Sequence, residues 1–139
     1  MPTATASISV EDAVNRRRGD LVELSHSIHA EPELAFAEHR SCAKTRALVA
    51  EYGFEITAAP GGLDTAFRAD YGSGPLVVGI CAEYDALPGI GHACGHNIIA
   101  TSGAGAGAAL AAVKGQLPKG RVQVIGTPAE EGGGGKIKL

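Results

Sequence analysis

The chain has 139 residues, room for one modest domain with its own core. Hydrophobic residues make up 45% and charged residues 19%, which excludes wholesale disorder. A net charge of −3 excludes the basic surface that nucleic acid demands. Aromatic residues are 4% of the chain and Trp is absent, so the core is expected to rest on Val, Ile, Leu and Ala.

Residues 1–9 read as a flexible tail without the apolar segment of a secretory signal. Ser9 with Asp12 three residues on resembles a helix cap, and Val14, Leu21, Leu24 and Ile28 then recur at helical spacing. The spacing predicts one helix from about Val10 to His29, closed off by Pro32. Arg16-Arg17-Arg18 falls within it and reads as a solvated face. A second helix is predicted from about Ala37 to Tyr52, with Ala43, Ala47 and Leu48 inward and Gly53 just past its end.

Phe54–Thr57 reads as a short strand, Pro60-Gly61-Gly62 as a turn, and Thr65–Tyr71 as a strand ended by Gly72-Ser73-Gly74-Pro75. Leu76–Ala82 is an unbroken apolar run, the pattern of a central strand buried on both faces. A polar loop from Glu83 to His96 follows. Residues 98–113 are almost all small or apolar and predict a buried helix. Asn97 is its expected N-cap, and Gly103 and Gly107 lie on one face to let it sit close to a sheet. Gly120–Ile125 is a further strand, ending at Thr127-Pro128. Helices alternating with strands predict an α/β domain with a mixed sheet flanked by helices.

Chemistry concentrates in two places, each just after an apolar strand, where open α/β sheets bind ligands. The first is Glu83-Tyr84-Asp85-Ala86-Leu87-Pro88 followed by Gly91-His92-Ala93-Cys94-Gly95-His96-Asn97. Cys94 and His96 share a side if the backbone is extended, and a thiolate and an imidazole there could hold one divalent ion; a buried free cysteine and a capping histidine would satisfy the spacing equally. His92 reads as a ligand, a loop residue or a support for one. Asp85 could orient a ligand imidazole or start an Asx turn before Pro88, and Glu83 could approach the same place. The second is Glu130-Glu131. In an extended segment these point to opposite sides, one toward metal and the other toward substrate as a general base; an acidic loop end is the plain alternative. His26, His29 and His39 fall on helices or their ends and read as surface or packing residues.

Two other motifs fail. Gly132–Gly135 with Lys136 lacks the first glycine and the hydroxyl residue of a phosphate loop, and Gly103-x-Gly105-x-x-Ala108 does not follow a strand directly. Cys42, Cys81 and Cys94 are odd in number and widely spaced, which fits a reducing, cytoplasmic setting better than a disulfide framework. No apolar run approaches the ~20 residues that cross a bilayer.

His29-Ala-Glu-Pro-Glu-Leu-Ala-Phe, Asp85-Ala-Leu-Pro, His92-Ala-Cys-Gly-His96 and Pro128-Ala-Glu-Glu131 occur in the order and at the separations found in the M20 family of metal-dependent amidohydrolases and peptidases. The chain resembles the aminoacylase or hippurate-hydrolase branch of that family, and most of all proteins like p-aminobenzoyl-glutamate hydrolase and Xaa-Arg dipeptidase. The resemblance runs from about residue 12 to the end, with Asn97 where many relatives carry Asp. It implies the N-terminal portion, residues 10–139, of a di-zinc peptidase-like catalytic domain. Cys94, His96 and Glu131 would be metal ligands, Glu130 the general base and Asp85 the carboxylate supporting the site. It further implies two divalent ions, Zn2+ favoured over Mn2+, and a small-molecule amide substrate such as an N-acyl amino acid or dipeptide. Family members have a lid domain that makes homodimers and further ligands beyond this length, so residues 1–139 alone are expected to turn over little substrate. A non-catalytic metal-binding or interaction module is the alternative.

Overall fold

The computed structural model describes residues 8–114 and 119–139; the expected tail lies outside the described residues except for Ile8 and Ser9. The first helical stretch is two helices, α1 (Val10–Arg16) and α2 (Arg18–His29), where one was expected. The Ser9 hydroxyl caps α1 by accepting the Asp12 N–H at 3.0 Å. The break falls at Arg17, whose φ of −104° and ψ of 5° leave the helical region. The bend lets α1, through Ala13, and α2, through Leu21 and Leu24, bury their inner faces. All three arginines are exposed, and the Arg17 guanidinium lies 4.8 Å from the centre of the Tyr52 ring.

Helix α3 (His39–Glu51) starts two residues later than expected and turns a different stripe inward: Ser41, Cys42, Thr45 and Val49. Ala43 and Ala47 are exposed and Leu48 only half-buried. Apolarity alone misplaces this face because two of its buried members are hydroxyl residues with partners. The Ser41 hydroxyl bonds to Glu33 Oε2 at 2.8 Å, and the Thr45 hydroxyl donates to the Ser41 carbonyl at 2.8 Å. Glu33 also caps α3 from outside the helix, accepting the Arg40 N–H (3.1 Å) and the Ser41 N–H (2.8 Å), two of the donors that a helix start leaves unpaired. Gly53 takes the positive φ of 90° that ends the helix as expected.

Strands β1 (Glu55–Ala58), β2 (Phe67–Ser73), β3 (Leu76–Glu83) and β4 (Gly120–Thr127) form one mixed sheet in the order β1-β2-β4-β3. The β1–β2 and β2–β4 pairs are antiparallel and β3–β4 is parallel. β2 runs on through Gly72 and Ser73 because both pair with β4. β3 is the sheet's edge among the described strands, bonded only to β4, and Leu76, Val77 and Val78 are 56%, 42% and 43% exposed. The expectation of a strand buried on both faces is therefore wrong here: an apolar run reports burial potential, and β3 has a described neighbour on one side alone.

Helix α4 (His96–Ala112) lies on β3 and β4, with α1, α2 and α3 packed against it. Gly103 and Gly107 are the points of closest approach: a Cβ on Gly103 would come within 2.9 Å of the Cys81 carbonyl oxygen, and one on Gly107 within 2.4 Å of Val124. The N-cap is Gly95 in the left-handed region (φ 79°), which displaces the expected Asn97. Asn97 instead sits in the first turn, its amide donating to the Ser25 hydroxyl at 2.9 Å. The core contains Ile28, Val49, Ala69, Ala82, Ala100, Ala104 and Val124, but Phe54, Phe67 and Tyr84 lie in it too. The few aromatics thus do more core work than their number suggested. A short helix, α5 (Gly135–Lys138), closes the chain. No described helix is long and apolar enough to cross a membrane.

Candidate metal centre

Parallel pairing sets Glu83, the last residue of β3, opposite Thr127, the last of β4. Both polar clusters therefore emerge at one edge of the sheet. After β3, Tyr84 is fully buried and its hydroxyl donates to the Thr65 carbonyl. The Ala86 N–H donates to the Glu33 carbonyl at 2.8 Å, and Leu34 bridges to Ala86. Asp85 is thereby held from both sides while the chain loops back to start α4 at His96.

The His96 ring is buried. Its Nδ1 lies 2.8 Å from the Asp85 carbonyl oxygen and 3.0 Å from Asp85 Oδ1. Both neighbours are acceptors, so Nδ1 carries the hydrogen and Nε2 presents its lone pair outward. Around Nε2 stand three carboxylate oxygens: Glu83 Oε2 at 3.6 Å, Glu130 Oε2 at 3.7 Å and Glu131 Oε1 at 3.5 Å. A lone pair facing three anions is repulsive unless positive charge sits among them. Two donors each about 2.1 Å from a tetrahedral ion stand roughly 3.4 Å apart, close to the spacing seen. Glu83, His96 and Glu130 each place a donor atom within 4.8 Å of the others. These donors fit a divalent cation.

Glu130 and Glu131 reach His96 together, against the expectation that they diverge. The expectation assumed extended backbone, whereas both lie in a turn entered through Ala129 at a φ of 55°. That left-handed conformation costs a non-glycine residue roughly 1–3 kcal/mol and persists where its surroundings enforce it. The turn is pinned on its far side by Asp85, whose Oδ2 accepts the Glu131 N–H at 3.0 Å. Asp85 thus positions the imidazole and one carboxylate at once, and it starts no simple Asx turn.

Cys94 is exposed in the loop before α4. The Glu131 carboxylate beside it accepts its thiol hydrogen and pushes the thiol above its ordinary range. Cys94, His96 and Glu131 are thus linked through Glu131. His92 is buried, with both ring nitrogens unpartnered and its ring 6.3 Å from that of His29. Burial lowers its affinity for a proton, and His29 and His96 add to that. His26, His29 and His39 are exposed, as expected. The structure adds Glu83 in close range of Nε2, where its ion pair with Lys136 of α5 also forms. Its place two residues before Asp85, at the strand end, was the available signal.

A profile of "Peptidase family M20/M25/M40" matches residues 79–139, which include every one of these groups. Xaa-Arg dipeptidase of Homo sapiens is 42% identical over 94% of this chain and 33% of its own length. The chain belongs to the M20 family. Another M20 relative, a component of the p-aminobenzoyl-glutamate hydrolase of Escherichia coli, is 33% identical over 91% of this chain and 30% of its own length. The fold is M20 as well. The YXEP protein of Bacillus subtilis, described as a dinuclear metal binding peptidase from the M20 family, superposes with a TM-score of 0.73 at 30% identity, covering 84% of this chain and 37% of that one. The chain spans about a third of the length of the curated M20 relatives it matches.

Proposed function

We propose that this chain carries the metal-binding half of a site that hydrolyses an amide bond in an N-acyl amino acid or dipeptide-like substrate. The observation that carries the reading is the His96 Nε2 lone pair, aimed by Asp85 at three carboxylate oxygens. Family membership and the dinuclear description of the Bacillus subtilis protein support two divalent ions. Cys94, His96 and Glu131 would hold metal, with Glu83 close enough to join them, and the thiolate favours Zn2+ over Mn2+. Bound there, the ions supply Lewis acidity toward an amide carbonyl and lower the pKa of water.

The chain's own residues do the rest. Asp85 keeps the hydrogen on His96 Nδ1 and so keeps Nε2 available as a donor. Glu130 is the most exposed of the three glutamates around Nε2, its side chain 41% accessible. It is free to take a proton from attacking water at a carboxylate oxygen and return it to the leaving amine. Cys94, His96 and Glu131 are three donors for two ions, so turnover by residues 1–139 alone is expected to be slow.

The test compares wild-type protein and Glu130→Gln, both loaded with Zn2+ or Mn2+, on N-acyl amino acids and arginine-containing dipeptides. Loss of turnover with metal content unchanged is the expected result. An unchanged rate in the variant overturns the assignment of Glu130. A loaded protein that cleaves none of these amides after long incubation points instead to a metal-binding module.

A further inference from the structure

Glu38 is wholly buried, and its Oε1 accepts the N–H of Ala129, 91 residues away, at 2.9 Å. Ala129 is the left-handed residue that turns the chain out of β4 immediately before Glu130 and Glu131. Its carbonyl is held as well, accepting the Gly133 N–H at 3.1 Å. Glu38 is itself fixed: it is the N-cap position of α3, and its own carbonyl accepts the Cys42 N–H at 2.9 Å. Burial pushes the Glu38 carboxyl up, against the pull of its own amide and the Ala129 N–H. A carboxyl so enclosed is costly to keep unless it satisfies a donor that nothing else reaches.

We infer that Glu38 is a positioning residue for the metal centre: by holding Ala129 in its left-handed turn from the rigid start of α3, it sets how closely the Glu130 and Glu131 carboxylates approach His96. The turn then has two carboxylate clamps, Glu38 on Ala129 and Asp85 on Glu131. Glu38 touches none of the donor groups and acts only through the backbone. The inference rests on the metal reading above.

The test is Zn2+ affinity, measured by competition with a chromophoric chelator well below the melting temperature, with the folded fraction checked by circular dichroism. Glu38→Gln keeps an oxygen for the Ala129 N–H and is expected to bind within about twofold of wild type. Glu38→Leu removes the acceptor and is expected to bind about tenfold or more weakly, in the range seen when supports of metal ligands are lost. If Glu38→Leu does not fold, Glu38→Asp decides: it keeps the carboxyl but withdraws it by one methylene, and weakened binding is again expected. A merely structural role would lower the melting temperature and leave the affinity of the folded protein unmoved. Wild-type affinity in the folded Leu or Asp variant therefore overturns the inference alone, whereas no binding by wild type overturns the metal reading and takes the inference with it.

Discussion

Asp85 Oδ2 accepts the backbone N–H of Glu131 at 3.0 Å across 46 residues of sequence. The same carboxylate holds His96 Nδ1 through its other oxygen, also at 3.0 Å. One buried side chain therefore joins the loop after β3, the start of α4 and the turn after β4.

Replacing Asp85 by Asn tests that junction. An Asn side chain has one acceptor and one NH2 group, so it must turn a donor toward either His96 Nδ1–H or the Glu131 N–H. Zn2+ affinity measured by titration calorimetry should fall by about 10- to 100-fold, as when partners behind metal ligands are removed. Unchanged affinity would show that Asp85 is only packing.

Glu33 makes a prediction about acid. Burial raises its carboxyl, but the N–H groups of Ser41 and Arg40 and the Ser41 hydroxyl outweigh this and hold it below its ordinary value of 4.5. A group whose folded value is depressed contributes stability that is present above 4.5 and is lost as pH falls through the lower folded value. Glu33→Gln should cost about 1–3 kcal/mol at neutral pH in urea unfolding, because an NH2 group then faces donors. The variant should also lose part of the wild type's decline in stability at pH values below that point. Glu38 works with the opposite sign: its raised folded value gives a contribution that is full below 4.5 and is lost as pH rises through the folded value.

Two glycine substitutions should move in opposite directions. Gly107→Ala drives a Cβ to 2.4 Å from Val124, a buried neighbour with no room to retreat. Overpacking of about 1–3 kcal/mol exceeds the roughly 1 kcal/mol that Ala gains over Gly in a helix, so the protein loses stability. Gly19 in α2 has nothing within 4 Å of the point where a Cβ would stand, so Gly19→Ala should raise stability by about 0.5–1 kcal/mol. Thermal unfolding of both variants checks the pair; a stabilised Gly107→Ala would mean that α4 sits farther from β4.

Lys136 gives a fourth. Its ammonium pairs with Glu83, one of the three carboxylates around His96 Nε2. Removing that charge in Lys136→Met should tighten divalent-ion binding several-fold, since a competing cation leaves an acidic site. Weaker binding would mean that the lysine helps to order Glu83 for the ion.

What was legible in the sequence follows from distance along the chain. Strand ends that carry acids, and a histidine and a cysteine two apart before a small-residue helix, are local patterns, so the sheet, α4 and the meeting of the two polar clusters could be read. Close packing at Gly103 and Gly107 was readable for the same reason. Asp85 reaching the Glu131 N–H and Glu38 reaching the Ala129 N–H are contacts between remote segments, and no local spacing announces them. The inner face of α3 was misread because Ser41 and Thr45 are buried by hydrogen bonds to Glu33 and to the helix itself. β3 was misread because hydrophobicity cannot say how many neighbours a strand has. The convergence of Glu130 and Glu131 was missed because a positive φ at an alanine has no sequence signal.

X-ray absorption at the zinc edge, on the chain loaded with Zn2+, would read the proposed donor set directly. Binding by Cys94, His96 and Glu131 predicts a sulfur scatterer at about 2.3 Å together with nitrogen and oxygen at about 2.0–2.2 Å. The sulfur contribution should vanish in Cys94→Ser, and the imidazole pattern should be lost in His96→Ala. A bound ion surrounded by oxygen alone, with a spectrum indifferent to both substitutions, would contradict that donor set.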